Sequence, residues 1–237
     1  MRVHVAFTPA EEVGAPVGIV VDVLRATSTI CQALAGGYER VLCCSEIEEA
    51  RELAAAEGET VLAGERRVVR IEGFDFGNSP REFAGRPPAA PTLVLTTTNG
   101  TRLLVAAAAR CETVLIGSLL NLGAVVEAAR ANGADDVAVL CAGVLGELAL
   151  DDAYCAGRTA EALGGEPMDS AAAAIRLAST FASHEDGLGA SRSARNLRNA
   201  GLDADIAWCA RESVLEVVPR VAGTVGAAVQ VVPSSRR

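Results

Sequence analysis

The sequence predicts an α/β fold with a largely parallel sheet. Short apolar runs such as VGIVVD (17–22) and TLVLT (92–96) read as strands buried on both faces. They alternate with stretches long enough for three turns of helix, the rhythm of βαβ units. The order strand, Thr-rich turn, helix, strand also recurs. At an offset of 73 residues YERVLCCS (38–45) aligns with CETVLIGS (111–118), and Thr27-Ser28 with Gly100-Thr101, which suggests two related βαβ halves.

In chain order, RVHVAF reads as a short strand with His4 as a structural residue inside it, and VGIVVD as a buried strand ending in an acid. In VLRATSTICQALAGG, Thr27 or Ser28 is placed to cap a helix that runs to Ala35 and stops at Gly36-Gly37. A strand at 40–44, a helix at 46–57 with acids in its first turn, and the strand TVLAGE follow. Residues 64–82, GERRVVRIEGFDFGNSPRE, form a polar loop, and GRPPAAP (85–91) is a proline-rich connector. It divides one 237-residue domain into two prospective lobes, 1–84 and 92–237. Beyond it come a strand (92–96), a turn and helix in TTNGTRLLVAAAAR, a strand (111–116), a helix (121–131) and a strand (136–141). A helix opens near Leu150-Asp151-Asp152 and ends at Gly164-Gly165, and an alanine-rich helix spans 169–183. A further helix covers 190–200, DIAWCARESVLEVVPRV gives a short helix and a strand, and TVGAAVQVVP is a final strand.

Composition narrows the function. A net charge of −9 and 3% aromatic residues argue against nucleic acid as a partner, and the charge also argues against an acidic membrane surface. All 21 basic residues are arginine, which removes P-loop, Schiff-base and pyridoxal chemistry. The seven cysteines lie mostly in apolar runs without a CxxC pair, as expected of buried thiols in a reducing compartment. With no apolar leader and no run of about 18 apolar residues, a cytoplasmic protein is expected. The apolar composition suggests a homodimer.

Polar residues cluster where the predicted strands end. Asp22, Glu65, Thr96 to Thr98, Gly117-Ser118 and Cys141 to Gly143 each follow a strand, and open parallel sheets bind ligands beyond those ends. The carboxylates Asp22, Glu65, Asp75 and Asp152 are hard oxygen donors suited to Mg²⁺. Arg25, Arg66, Arg70 and Arg81, with the helix starts after Arg25 and after TTNGT, suit an anion. Taken singly, Asp22 could cap a turn, Asp151-Asp152 could complement a helix dipole, and TTNGT could be only a cap. Together they suit phosphoryl transfer. No cysteine is followed by arginine six residues on, so the C-x5-R phosphatase loop is absent. Two histidines outside any RHG context argue against histidine phosphatases.

DVLRATSTI, GERRVVRIEGFDFGNSPRE, TTTNGT, GSLLN, CAG and DDAYCAG, in this order, resemble the 2-phosphosulfolactate phosphatase (ComB) family from Asp22 to Gly157, with a weaker match around 205–221. The resemblance implies a three-layer α/β/α fold with two related halves and a Mg²⁺-dependent phosphatase. Its reaction would convert 2-phospho-3-sulfolactate, a small anionic molecule, to 3-sulfolactate and phosphate on the way to coenzyme M. It implies Asp22, Arg25, Glu65 and Asp75 as catalytic residues, and Asp22, Glu65, Asp75 and Asp152 as metal ligands. Substrate contacts fall to Thr27, Ser28, Arg66, Arg70, Asn78, Ser79, Asn99, Gly100 and Thr101. The chain departs from the family pattern at Val68, where glycine is expected, at Arg70, where lysine is expected, and at Asp151, which replaces glutamate. Water attack and a covalent aspartyl-phosphate on Asp22 are both open routes. The alternatives are a phosphatase of other phosphorylated 2-hydroxy acids and an inactive metabolite-binding relative.

Overall fold

A computed structural model describes residues 1–234, leaving aside the side chains of Thr101 and Arg102. The chain runs β1 (Arg2–Ala6), β2 (Val17–Val21), α1 (Ala26–Ala35), β3 (Arg40–Cys44), α2 (Ile47–Glu57), β4 (Thr60–Arg66) and β5 (Val69–Arg70). It continues through β6 (Thr92–Thr96), α3 (Gly100–Ala108), β7 (Thr113–Gly117), α4 (Leu122–Ala131), β8 (Asp136–Cys141), α5 (Leu150–Leu163) and β9 (Glu166–Pro167). Four short helices follow, α6 (Asp169–Ala178), α7 (His184–Gly189), α8 (Arg192–Asn199) and α9 (Ala204–Cys209). The closing hairpin is β10 (Pro219–Val225) and β11 (Ala228–Pro233).

The strands form one mixed sheet in the order β5-β4-β6-β3-β11-β10-β7-β2-β8-β1-β9. Its faces separate by the two-residue period of each strand. On β2, Ile19 and Val21 join a core with Val125 of α4 and Ala156 of α5, while Val20 packs with Ile30 of α1 and Leu104 of α3. On β3, Val41 and Cys43 face α1 and α3, whereas Leu42 and Cys44 meet Ala50 of α2. The result is three layers, α/β/α, with α1 and α3 on one face and α2, α4 and α5 on the other. All five residues of β2 are buried, which is why it reads as an uninterrupted apolar run.

Two segments repeat the same plan, β2-α1-β3-α2-β4 and β6-α3-β7-α4-β8, and the strand bounds 40–44 and 113–117 fall at the 73-residue offset seen in the sequence. Their first strands are exchanged. β6 lies parallel between β3 and β4, and β2 lies parallel between β7 and β8. The β10–β11 hairpin joins the two triplets antiparallel, through Arg220 opposite Leu115 and Val231 opposite Val41.

Several elements differ from the sequence reading. The alanine-rich helix stops at Ala178, because Ser179 and Thr180 turn their hydroxyls back onto the carbonyls of Arg176 and Leu177. Ser183 then caps a new helix by accepting from the Asp186 N–H at 3.1 Å, and Ser191 does the same for Ala194 at 3.0 Å. Residues 212–218 form no strand; the N–H groups of Ser213 and Leu215 instead bond to the carbonyls of Leu119 and Leu120. TVGAAVQVVP is the end of a hairpin, its turn made at Gly226 with φ +60°.

All seven cysteines are buried and unpaired. Burial pushes the Cys31 and Cys209 thiols up to about 12, so neither is a thiolate nucleophile near neutral pH. Among the described residues no helix is long and apolar enough to cross a membrane.

Candidate active site

The N-termini of α1 and α3 meet over the ends of β2 and β6. A Cβ on Gly100 would sit 2.6 Å from the Ala26 Cβ and 2.7 Å from Asp22 Oδ2. Glycine is therefore required for this approach, and that is the service Gly100 gives the site. Asp22, directly after β2, accepts the Ala26 N–H at 3.2 Å and so occupies the positive end of α1. Beside it opens a cavity of about 610 Å³ lined by Asp22, Arg25, Glu65, Asn78, Asn99, Asp151 and Asp152, among others.

Two of these acids lock the loops together. Glu65 accepts the Val68 N–H through Oε2 (2.7 Å) and both the N–H and the hydroxyl of Thr98 through Oε1 (2.9 Å each). Asp152 accepts the Val23 N–H (2.9 Å) and the Gly143 N–H (3.0 Å). The arrangements are equivalent. Each carboxylate holds the N–H two residues past the end of its own half's last strand and the N–H two residues past the end of the other half's first strand.

Arg25 is buried and donates to Asp205 Oδ2 of α9 at 2.7 Å and to the Val68 carbonyl at 3.3 Å. Asp205 also accepts from Ser79 Oγ at 2.6 Å. The Oδ1 of Asn78, buried against the cavity, has no hydrogen-bond partner among the described residues.

The other sequence candidates point elsewhere. Thr27 Oγ1 bonds to the Asp22 backbone and Ser28 Oγ donates to the Val23 carbonyl, so both brace the turn below the cavity rather than cap the helix. Arg66 donates to the Ser45 carbonyl and Thr96 Oγ1 and lines a neighbouring cavity. Arg70 donates to the Asp75 carbonyl at 3.2 Å. Asp75 Oδ2 accepts the Leu62 N–H at 2.9 Å on the exposed margin of β4, and Asp75 does not line the cavity. Ser79 serves Asp205. The side chain of Thr101 lies outside the described residues. The cavity instead recruits Asp151, Arg67, and from α8 Arg192, Ser193, Asn196 and Asn199. The signal for α8 was in the sequence, a polar stripe recurring every three to four residues through SRSARNLRNA.

Electrostatically the cavity is short of positive charge. Burial, with Glu65 nearby and the Ala26 N–H opposing, pushes the Asp22 carboxyl up to about 6. Burial also pushes Asp151 up to about 7, with Asp22 adding to it, and lifts Asp152 well above the usual carboxylate range. No ion pair neutralises these three acids among the described residues. Nor does any group of three His, Cys, Asp or Glu side chains there form a metal site by itself. Mg²⁺ asks for less, commonly one or two carboxylates with water and substrate oxygens completing its shell. Hard oxygen donors carrying uncompensated charge in a buried cleft fit such an ion.

A family model described as 2-phosphosulpholactate phosphatase matches residues 4–224. A protein of Thermus thermophilus named probable 2-phosphosulfolactate phosphatase is 39% identical over 233 residues, covering 96% of this chain and 98% of its own length. Relatives of the same name from Thermotoga petrophila and Deinococcus radiodurans are each 36% identical, over 94% and 86% of this chain and 96% and 86% of their own lengths.

Proposed function

The chain belongs to the 2-phosphosulfolactate phosphatase family, and from that membership we propose that it hydrolyses 2-phospho-3-sulfolactate to 3-sulfolactate and inorganic phosphate, with Mg²⁺ as cofactor. The observation that carries this reading is the Asp22 carboxylate in a buried cavity between two facing helix N-termini, beside two further desolvated acids.

Asp22 and Asp151 are the residues that would hold the cation, with Asp152 behind them. The bound ion would supply positive charge to the phosphate oxygens and lower the pKa of water. The protein's own groups do the rest. The N-terminus of α3, which faces Asp22 across the cavity, offers its backbone N–H groups to the phosphoryl oxygens. Arg25, fixed by Asp205, presents a positive charge that needs no reorganisation during the reaction. Asp22, whose carboxylate borders the cavity with Oδ1 held by the Ala26 N–H, accepts the proton of the attacking water. Glu65 and Asp152 hold the four turns in register and act through them as positioning residues.

The test is phosphate release from racemic 2-phospho-3-sulfolactate, with Mg²⁺ and with chelator, beside 2-phospholactate and phosphoglycolate. Mg²⁺-dependent release favouring the sulfonate is expected. Equal release from all three would make the enzyme a general 2-hydroxy-acid phosphatase, and release unaffected by chelator would remove the metal from the mechanism.

A further inference from the structure

Beside its acids the cavity is lined by Arg67, Asn196 and Asn199, which the mechanism above does not use. Among the described residues, three arginines line the cavity. Arg25 is paired with Asp205 at 2.7 Å, and Arg192 reaches Glu147 at 3.8 Å. Arg67 forms no hydrogen bond or ion pair among the described residues. It sits at the tip of the β4–β5 hairpin, where Arg66 pairs with Val69. Arg67 and Val68 have φ of +54° and +65°, a turn that asparagine and glycine ordinarily fill. A β-branched residue in that region is a true outlier. The turn is held by the Val68 N–H to Glu65 and by Arg25 to the Val68 carbonyl. The hairpin tip is thus tied to the catalytic loops while its free guanidinium borders the cavity.

α8 forms another part of the same wall, with Asn196 and Asn199 one turn apart. Both are exposed to solvent, and neither side chain has a protein partner among the described residues. Arginine offers five N–H donors and each asparagine two more.

Resting on the substrate reading above, we propose that Arg67, with Asn196 and Asn199, forms the specificity end of the cavity and holds the sulfonate of the substrate while its phosphate lies at Asp22. A sulfonate has three equivalent oxygens on a tetrahedral head and needs donors from several directions, whereas a carboxylate is served by one fork. The lone guanidinium and the two amides of α8 supply that set. Arg67 is then a specificity residue and takes no part in breaking the P–O bond.

The experiment compares kcat/KM for 2-phospho-3-sulfolactate and for 2-phospholactate, which carries a methyl group where the first carries the sulfonate-bearing carbon. The enzymes are the wild type, Arg67→Ala, Arg67→Lys and Asn196→Ala. Losing a charge-assisted contact should lower kcat/KM for the sulfonate substrate on the order of 10- to 100-fold in Arg67→Ala. The loss should fall mainly in KM, be at least tenfold smaller on phospholactate, and be partly restored in Arg67→Lys. Equal losses on the two substrates, or no loss on either, would overturn the assignment. Calorimetric binding of 3-sulfolactate separates this from a failure of the substrate reading. If the wild type releases no phosphate, weaker 3-sulfolactate binding by Arg67→Ala still supports the sulfonate site, and undiminished binding removes it.

Discussion

At the scale of single residues, Asp22 concentrates the conflict between stability and chemistry. It is 8% exposed, its carboxyl is raised to about 6, and its Oδ1 already serves the Ala26 N–H. Asp22→Asn keeps that acceptor and removes the buried charge. We expect phosphate release to fall roughly a thousandfold, the scale of a lost general base, while the melting temperature at pH 7 holds or rises. Retained turnover would remove Asp22 from the reaction.

The raised acids also set an unusual pH dependence. In the folded state Asp22 and Asp151 keep protons up to about 6 and 7, whereas unfolded carboxyls lose them near 3.8. Between those values the unfolded chain binds fewer protons, so raising the pH destabilises the fold. The melting temperature in chelator should therefore drop from pH 5 to pH 7. Added Mg²⁺ should stabilise more at pH 7 than at pH 5, since it competes with those protons. A melting temperature that climbs through this window in chelator would contradict the burial of these charges. The strand-end position of Asp22 was legible in the sequence because a strand's end is a local property. The place of Asp75 was not. Its carboxylate is committed to a backbone N–H 13 residues upstream, and only the fold of the loop brings the two together.

Among the elements, α9 matters beyond its six residues. Asp205 is fully buried and ties Arg25 at the start of α1 to Ser79 in the loop after β5, across 180 and 126 residues of sequence. No periodicity or motif marks such a partner, and DIAWCARE by itself reads only as a short amphipathic helix. Breaking one side of a buried pair leaves the other charge unpaired, at a cost of about 3–5 kcal/mol. Asp205→Ala should lower the unfolding free energy from denaturant titration by that much and lower turnover through a misplaced Arg25. A variant as stable as the wild type would show that water replaces the carboxylate. The strands were legible to within two residues where they are buried on both faces. Of the helices after α5, α8 and α9 were legible, whereas the end of α6 and the separate α7 were not, because Ser179, Thr180 and Ser183 make that break and cap through side-chain bonds that compete with helix continuation.

For the whole molecule, the repeat that was faint in the sequence becomes an exchange of first strands between halves. β6 is the central partner of β3 and β4, and β2 that of β7 and β8, while Glu65 and Asp152 clasp the exchanged loops by equivalent bonds. The exchange could not be read from the sequence, because βαβ patterning fixes neighbours along the chain and leaves open which half supplies the middle strand. It has a consequence for the proline-rich segment 85–91, which is largely exposed and lies between the halves. Cutting there leaves residues 1–84 with only the β4–β5 pairing intact, and leaves β6 and β8 of residues 92–237 without their parallel neighbours. Neither fragment should show a cooperative thermal transition alone, since each exposes apolar strand faces and unpaired edges. Expressed together, they should associate into a complex that releases phosphate, because the active site lies where the exchanged strands end. Fragment 1–84 folding independently, with a sharp transition and dispersed amide resonances, would mean that the first half can form its own sheet and that the exchange is not what holds the site together.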